Sequence, residues 1–211
     1  MANPPYSIKS WDRKSFENDP YGRNIWGTPP QGCADYAFEQ HIQRSLNEQN
    51  GRSISLWPQG FLDRNSEEDI RTSFIMSDRI EAVIGLGRNL FYNSGMESCL
   101  VISRTKKVEE RKGKILFINA SDLVKKEKTI SFLEDHHIQK ILDAYEKGND
   151  RDGLSRLVDV EDVITNRGSL NINLYVNKYE KSDDAFSEIY DTWLHNSDRL
   201  KKTMNKLLTG I

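Results

Sequence analysis

Four residues near the start of the chain, Asn3, Pro4, Pro5 and Tyr6, have the types and the spacing for chemistry on a flat heterocycle. Two consecutive prolines fix φ at adjacent positions and hold the preceding residue in an extended conformation. The Asn3 side-chain oxygen and the Pro4 carbonyl then become two fixed acceptors beside an aromatic ring. Two acceptors suit the two hydrogens of an exocyclic amino group, and Tyr6 suits the face of the ring that carries it.

The same tetrapeptide has a second interpretation, because Pro-Pro is also common in disordered tails and polyproline segments. The tetrapeptide alone does not decide between the two. Cysteines and histidines, the other residue types that could react or bind a metal, are few. Cys33 and Cys99 are too few and too scattered for a disulfide framework or a zinc site, and they favour small core positions. His136 and His137 are neighbours on a predicted helix and point about 100° apart, which indicates surface or capping groups and predicts no metal site.

The size and composition bound the class of protein. A chain of 211 residues is one domain, or one domain with an appendage. Charged residues make up 29% and hydrophobic residues 36%, and no long apolar run is present. We therefore predict a soluble cytoplasmic protein with no transmembrane helix or secretory signal. The net charge of −2 lacks the basic excess of a protein that grips nucleic acid alone.

The elements that must position the tetrapeptide follow from hydrophobic periodicity. Residues 7–31 and 85–95 read as loops, the first of them rich in aromatic residues and glycine. The remaining pattern predicts helices over 35–47, 67–74 and 131–147, and strands over 53–57, 81–84, 99–102 and 114–118. Strands that alternate with helices favour an α/β fold with a sheet covered on both faces.

Three features of the second half complete this prediction. Ser131 to Glu134 fits a capping box at the start of the third helix. Leu170 to Leu174 alternates strictly and predicts a half-exposed strand. Apolar residues recur at helical spacing over 183–208, which predicts a terminal helix with an apolar stripe. We therefore divide the chain into a domain over 1–180 and a helical tail over 181–211.

A series of short motifs follows the tetrapeptide in a definite order. They are Ala34-Asp35-Tyr36-Ala37-Phe38, Gly51 to Gly60, Ile80 to Leu86, Asn89-Leu90-Phe91-Tyr92, Cys99 to Ile102, Gly113 to Ser121 and Leu170 to Val176. This series resembles the second half of the modification subunit of type I restriction-modification systems, a family of adenine-N6 DNA methyltransferases. The resemblance covers residues 2 to about 178.

The resemblance implies a fold and a site. The fold would be the second half of a Rossmann-like methyltransferase sheet, with a C-terminal helix. Asn3, Pro4, Pro5 and Tyr6 would form the catalytic loop, which aims the amino nitrogen of a flipped adenine at the methyl group of S-adenosylmethionine. Tyr6 would stack on the adenine, and the loop with Asn89 and Phe91 would supply the opposite wall. A core aromatic is an equally good interpretation of Phe91.

Departures from the family pattern qualify these expectations. The family usually has proline where Gly87 stands, so we expect a looser loop before Asn89 and Phe91. It also often has proline at Glu97 and prefers leucine at Trp57. No glycine-rich turn for S-adenosylmethionine is identifiable. Gly85-Leu86-Gly87 follows a strand but precedes no helix, and the resemblance assigns it to the loop near the target base. We therefore expect this chain alone to be inactive and its binding of the cofactor to be doubtful.

The resemblance also implies partners, namely DNA, a specificity subunit and a restriction subunit. The helix over 183–208 is the predicted docking element for the specificity subunit. If the chain holds only the second half of the methyltransferase sheet, one strand at the division is an exposed edge, which predicts self-association. Two other functions stay open. One is a non-enzymatic shortened subunit that binds the specificity subunit, and the other is a fragment of an RNA or protein-glutamine methyltransferase, in which Asn-Pro-Pro-Tyr also occurs.

Overall fold

The computed structural model of the protein describes residues 1–91, 95–128 and 130–176, together with positions 193 and 197. The chain divides into two units, Met1–Asn177 and Lys178–Ile211, and the elements below belong to the first. The predicted helix over 183–208 and the predicted tail over 181–211 lie outside the described residues, apart from those two positions. Within the described part of the chain, no helix has the length and apolar character needed to cross a membrane.

A five-stranded mixed sheet forms the centre of the first unit. The described residues contain these strands of the sheet and of a separate hairpin: β1 (Arg52–Pro58), β2 (Ile80–Leu86), β3 (Ser98–Arg104), β4 (Lys114–Ala120), β5 (Lys125–Glu127), β6 (Ile130–Phe132) and β7 (Ser155–Asp159). The sheet has the order β1-β3-β2-β4-β7, while β5 and β6 form a separate hairpin. Only β2 and β4 are parallel neighbours within the sheet. The four strands predicted between residues 53 and 118 are confirmed.

Three strands of this sheet point in the same direction. β3 is antiparallel to both β1 and β2, and β4 is parallel to β2. The last residues of β1, β2 and β4 therefore lie at one end of the sheet, which we call the carboxyl edge, and β3 begins there opposite Pro58 and Leu86. In α/β proteins this is the end at which ligands bind.

Helices cover both faces of the sheet, as predicted. They are α1 (Arg13–Glu17), α2 (Asp35–Arg44), α3 (Glu68–Met76), α4 (Asp135–Lys147) and α5 (Val160–Thr165). Alternate residues of β4 enter two separate buried clusters. Ile115 and Phe117 join the first, with α2 and α3, while Leu116 and Ile118 join the second, with α4. The α/β fold class is thus confirmed, and α1 is a short helix inside the predicted loop over 7–31.

The strand predicted over Leu170 to Leu174 is wrong. Residues Ile172–Leu174 form a 3₁₀ turn instead, because the Asn171 side chain accepts the backbone N–H of Asn173 at 3.1 Å and bends the chain locally. The alternation is real, since Leu170 and Ile172 are buried, but it belongs to a turn that packs on the core. The fifth strand of the sheet is β7.

The predicted start of the third helix is also wrong. Residues Ile130–Phe132 form β6, and α4 begins only at Asp135. The capping box is made by Glu134 and His137 rather than by Ser131 and Glu134. The Glu134 side chain accepts the His137 N–H, and His137 Nδ1 accepts the Glu134 N–H at 3.2 Å. The helix starts later than predicted because Ser131 belongs to β6, where it pairs with Lys126. The Ser131 N–H donates to the Asn89 carbonyl.

Candidate target-base site

The residue before the Asn-Pro-Pro-Tyr segment, Ala2, forms an isolated parallel bridge with β1, and the segment then leaves that strand. Ala2 donates to the Ile54 carbonyl at 2.9 Å and accepts from the Leu56 N–H at 3.0 Å, in parallel register opposite Ser55. If this ladder continued, position 4 would donate its N–H to the Leu56 carbonyl. Pro4 has no N–H, so the pairing ends there and the loop turns away from the sheet close to the carboxyl edge.

Tyr6 orients the Asn3 side chain. The Tyr6 hydroxyl donates a hydrogen bond to Asn3 Oδ1 at 2.9 Å. An amide oxygen has two acceptor positions, so Oδ1 keeps one for a ligand, and Asn3 is exposed. Burial, followed by the electrostatic effects of Cys99 and Asp35, raises the pKa of Tyr6, so its hydroxyl remains a donor at neutral pH. The half-buried Tyr6 ring packs against both core clusters.

A buried ion pair anchors the chain directly after Tyr6. Ser7 has a left-handed backbone with φ of 50°, and its N–H donates to Asp35 Oδ1 at 2.6 Å. The other Asp35 oxygen accepts from Arg64 Nη2 at 2.7 Å, and Arg64 Nη1 also donates to Glu67 at 2.8 Å. The Asp35 and Glu67 side chains are fully buried. We call this group of Ser7, Asp35, Arg64 and Glu67 the loop clamp.

The loop that carries Asn89 and Phe91 leaves β2 at the same edge of the sheet. Asn89 is exposed with φ of 59°, and Phe91 is half-buried against the cluster that Tyr6 also contacts. Gly87 is buried, and a Cβ atom there would lie 2.6 Å from the Ser121 carbonyl oxygen. The loop is therefore closely packed at its root, where the sequence predicted a looser one. The roles of Asn89 and Phe91 stay predictions.

A buried carboxyl group supports β1 beneath the tetrapeptide. Glu39 accepts hydrogen bonds from Gln43, from Ser55 and from the Trp57 indole, each at 2.8 Å. Burial raises the pKa of Glu39, and these three hydrogen bonds act in the opposite direction. Trp57, which stands where the family prefers leucine, is fully buried and stacks on Phe61. The Trp57 indole N–H donates to Glu39, whereas a leucine at this position would have no N–H to pair.

The cluster of Glu134 and the two neighbouring histidines lies at the start of α4, where Glu134 and His137 cap the helix. Among the described residues, Glu134, His136 and His137 have donor atoms within 4.8 Å of one another. His137 Nδ1 is engaged in the capping box, which confirms the prediction of a capping role. Lys125 Nζ lies 2.8 Å from the Glu134 carboxylate, so an ammonium group already balances its charge.

The two cysteines are core residues, as predicted. Both are buried and unpaired. Burial raises the pKa of the Cys33 thiol to about 12, and it raises the pKa of Cys99 still further. Neither side chain is a thiolate at neutral pH, so neither is a nucleophile for covalent catalysis.

The sequence profile of the N-6 DNA methylase family matches residues 1–184, which is nearly the whole chain. The chain belongs to this family. The match includes the tetrapeptide and extends past Val176, over the same segments that carry the motif series. The predicted membership of an N-6 DNA methylase family is thereby confirmed.

Similar proteins of known class are type I methylase subunits. The MjaVIII methylase subunit of Methanocaldococcus jannaschii is 35% identical over 204 residues, which are 93% of this chain and 35% of that protein. The HindI methylase subunit of Haemophilus influenzae is 31% identical over 195 residues, or 88% of this chain and 43% of that protein. The chain thus spans well under half the length of these relatives.

Solved structures agree with this classification. The methyltransferase subunit of a type I restriction-modification system from Streptococcus thermophilus superposes with a TM-score of 0.77 at 33% identity, over 84% of this chain and 37% of that one. The EcoKI M protein superposes with a TM-score of 0.58 at 17% identity, over 96% of this chain and 49% of that one. The second similarity shows the fold alone, and both confirm the predicted fold class.

The glycine pair Gly85 and Gly87 does not form an open turn for a ligand. A turn of that kind needs glycines whose backbone is open to the ligand. At Gly85 a Cβ atom would meet Ile172 Cδ1 at 2.8 Å, and at Gly87 it would meet Ser121 and Val124. Both glycines are packed against other parts of the chain itself. Gly85 and Leu86 lie within β2 and only Gly87 lies in the loop that follows, so the predicted assignment of all three residues to the loop is wrong for the first two.

The loop clamp was not found from the sequence. Asp35 begins α2, and Arg64 lies 29 positions further along in the segment before α3, so no local pattern joins them. The one sequence feature that could have pointed to the loop clamp is that Asp35 occurs within one of the family motifs. Its carboxylate reaches Ser7 only after the chain has folded.

Proposed function

We propose that Asn3, Pro4, Pro5 and Tyr6 form the target-base site of an adenine-N6 DNA methyltransferase, and that the chain is part of the modification subunit of a type I restriction-modification system. The observation that carries this proposal is the Tyr6–Asn3 hydrogen bond. It sets the Asn3 oxygen as a fixed, exposed acceptor beside an aromatic ring. The site lies close to the carboxyl edge of the sheet, where α/β enzymes bind their ligands.

The proposed chemistry is the orientation of an amino group. A target adenine is turned out of the duplex because its N6 atom is inaccessible within the base stack. Asn3 Oδ1 and the Pro4 carbonyl each accept one N6 hydrogen, which draws the nitrogen lone pair out of conjugation with the ring. Tyr6 stacks on the base, a contact worth about 1–3 kcal/mol. Phe91 and Asn89 form the opposite wall, and the family's methyl donor supplies the electrophile.

Competition between adenine and purine at one extrahelical position tests this site. Purine lacks the amino group, so two acceptors lose their partners. Two neutral hydrogen bonds contribute about 1–3 kcal/mol together, which predicts at least about a fivefold preference for adenine. Asn3→Ala should remove about half of that free energy, while Asn50→Ala, an exposed change before β1, should leave it unchanged. Equal affinities for the two bases in the wild-type chain would refute the site.

The cofactor and the activity of this chain form a separate part of the proposal. We propose that the 211-residue chain supplies the base-binding part and does not methylate DNA alone. This is supported by the packing at Gly85 and Gly87, where the chain's own atoms occupy the space beside each glycine backbone. Calorimetric titration with S-adenosylmethionine should show no binding. Methyl transfer to adenine by the purified chain would contradict this part of the proposal.

The proposed partners are DNA, a specificity subunit and a restriction subunit, in keeping with the class of the relatives. We propose that residues 183–208 dock on the specificity subunit, as their apolar spacing predicts. A chain truncated at residue 182 should fail to assemble with that subunit in a pull-down, whereas the intact chain should be retained. Retention of the truncated chain would contradict the docking role.

Self-association is proposed through the outer edge of β1. β1 is a terminal strand of the five-stranded sheet, and within the described residues only Ala2 pairs with its outer side. Unpaired edges of this kind tend to pair with another chain. Light scattering should therefore report a mass that rises with concentration, and a constant monomer mass would refute the proposal.

A further inference from the structure

The β5–β6 hairpin has no part in the base site proposed above, although it lies close to it. It follows β4, so it starts from the carboxyl edge of the sheet. Its register pairs Lys125 with Phe132, Lys126 with Ser131 and Glu127 with Ile130. The hairpin is too short to be stable alone, so its position depends on what it is attached to.

The hairpin is attached to the loop of the base site. The Ser131 N–H in β6 donates to the Asn89 carbonyl at 2.8 Å. At the root of that loop, the Gly87 backbone lies against Ser121 and Val124, the residues that lead into β5. These contacts join the segment over 121–132 to the loop over 87–91, and they place the hairpin beside Asn89.

The hairpin carries a surplus of exposed positive charge. Lys125, Lys126 and Lys128 are all exposed, against one acidic residue, Glu127. Lys125 is held by Glu134 and lies 5.3 Å from the centre of the Phe132 ring. Lys126 and Lys128 make no ion pair and no side-chain hydrogen bond with any residue in the described part of the chain. Two ammonium groups are therefore available for a ligand.

A base that has left the duplex stays linked to the phosphates on either side of it. A surface next to the base site therefore faces the DNA backbone. We propose that Lys126 and Lys128 contact phosphates that flank the flipped adenine, and that the hairpin is a DNA-backbone clamp. This inference rests on the proposed function, because it takes DNA as the ligand. Lysine binds phosphate as a point charge and releases condensed counterions, so the contact has a salt-dependence signature.

The test compares two double variants of the full 211-residue chain. Lys126→Gln/Lys128→Gln removes the proposed contacts, and Lys106→Gln/Lys112→Gln removes the same net charge at the opposite edge of the sheet, where β3 ends and β4 begins. The probe is a fluorescent duplex with one adenine opposite an abasic position. Its affinity is measured by anisotropy between about 0.02 and 0.2 M salt. The same duplex with purine reports on the base site.

Each phosphate contact contributes about 0.9 to the slope of log affinity against log salt. The hairpin variant should therefore reduce the slope by about 1.8 and weaken binding at least about tenfold at low salt. The control variant should keep the wild-type slope. An unchanged slope in the hairpin variant, an equal change in the control, or no wild-type binding at the lowest salt would each overturn the proposal. An absent adenine preference with the predicted slope change would refute the base site and leave the hairpin supported.

Discussion

Asp35→Asn tests whether the loop clamp positions the tetrapeptide. The Asp35 carboxylate satisfies two donors on opposite sides, the Ser7 N–H at 2.6 Å and Arg64 at 2.7 Å. Asparagine has one carbonyl oxygen, so either Ser7 or Arg64 must face an NH₂ group. The variant keeps the size of the side chain, so the change is confined to charge and hydrogen bonding.

The magnitude follows from burial and from the remaining partner. A hydrogen bond to a charged group contributes about 1.5–3 kcal/mol. The Arg64 side chain is 25% exposed and keeps Glu67, so solvent and the second carboxylate reduce the loss to about 2 kcal/mol. With a slope of about 2 kcal/mol per molar urea for a chain of this size, the unfolding midpoint should fall by about 1 M.

Glu67→Gln is the matched control, because Glu67 shares Arg64 but does not contact Ser7. Asp35→Asn should lower the urea midpoint, and Glu67→Gln should lower it less, because burial raises the pKa of Glu67 and so disfavours its charged form. Only Asp35→Asn should also reduce the preference for extrahelical adenine over purine, by no more than Asn3→Ala does, because only it loosens the residue after Tyr6. The positioning role is refuted if Asp35→Asn lowers the midpoint and leaves the adenine preference at the wild-type value.

Three further predictions concern groups around the site. Glu39→Gln removes a carboxyl whose pKa burial raises above 4.5. Its charged form destabilises the fold, so the wild-type chain should lose unfolding free energy relative to the variant as pH rises from below 4.5 through the folded-state pKa. Gly87→Ala should destabilise by about 1–3 kcal/mol in urea, because its Cβ would overlap Ser121, whereas Gly32→Ala has open space. Tyr6→Phe should retain stacking but lower the adenine preference about fivefold.

Each of these predictions has a contradicting result. A stability difference between wild type and Glu39→Gln that stays constant from pH 4 to pH 8 would show that the carboxyl does not titrate differently in the folded state. Equal urea midpoints for the Gly87 and Gly32 variants would refute the close approach of the loop root. An unchanged adenine preference in Tyr6→Phe would show that its hydroxyl does not orient Asn3.

Four strands of the central sheet were predictable because their signal is local. The apolar residues 82–84 of β2 and 115–118 of β4 are buried on both faces of the strand in the structure. The strands β5, β6 and β7, which lack such a run, were not predicted. The α/β class followed from the same runs and from the helices between them. The tetrapeptide was predicted as a site because two prolines restrict the backbone whatever the surrounding fold, and its role stays a prediction.

The errors have a common physical cause, which is competition from side-chain and long-range hydrogen bonds. The alternation at Leu170 to Leu174 predicted a strand, but Asn171 closes a local turn with Asn173. The apolar pattern of α4 was extended to Ser131, whose N–H pairs instead with Asn89. The Asp35–Arg64 ion pair was missed because it joins residues that become neighbours only after folding.

In the proposed site, two fixed oxygens, Asn3 Oδ1 and the Pro4 carbonyl, accept both hydrogens of the adenine amino group. The most direct test of this arrangement is the ¹⁵N–¹H spectrum of an extrahelical adenine labelled at N6, recorded with and without the chain. We expect two separate amino proton signals, both shifted downfield in the complex, and loss of one of these shifts in Asn3→Ala. Amino signals that stay at their free positions when the labelled duplex is saturated with the chain would contradict this arrangement.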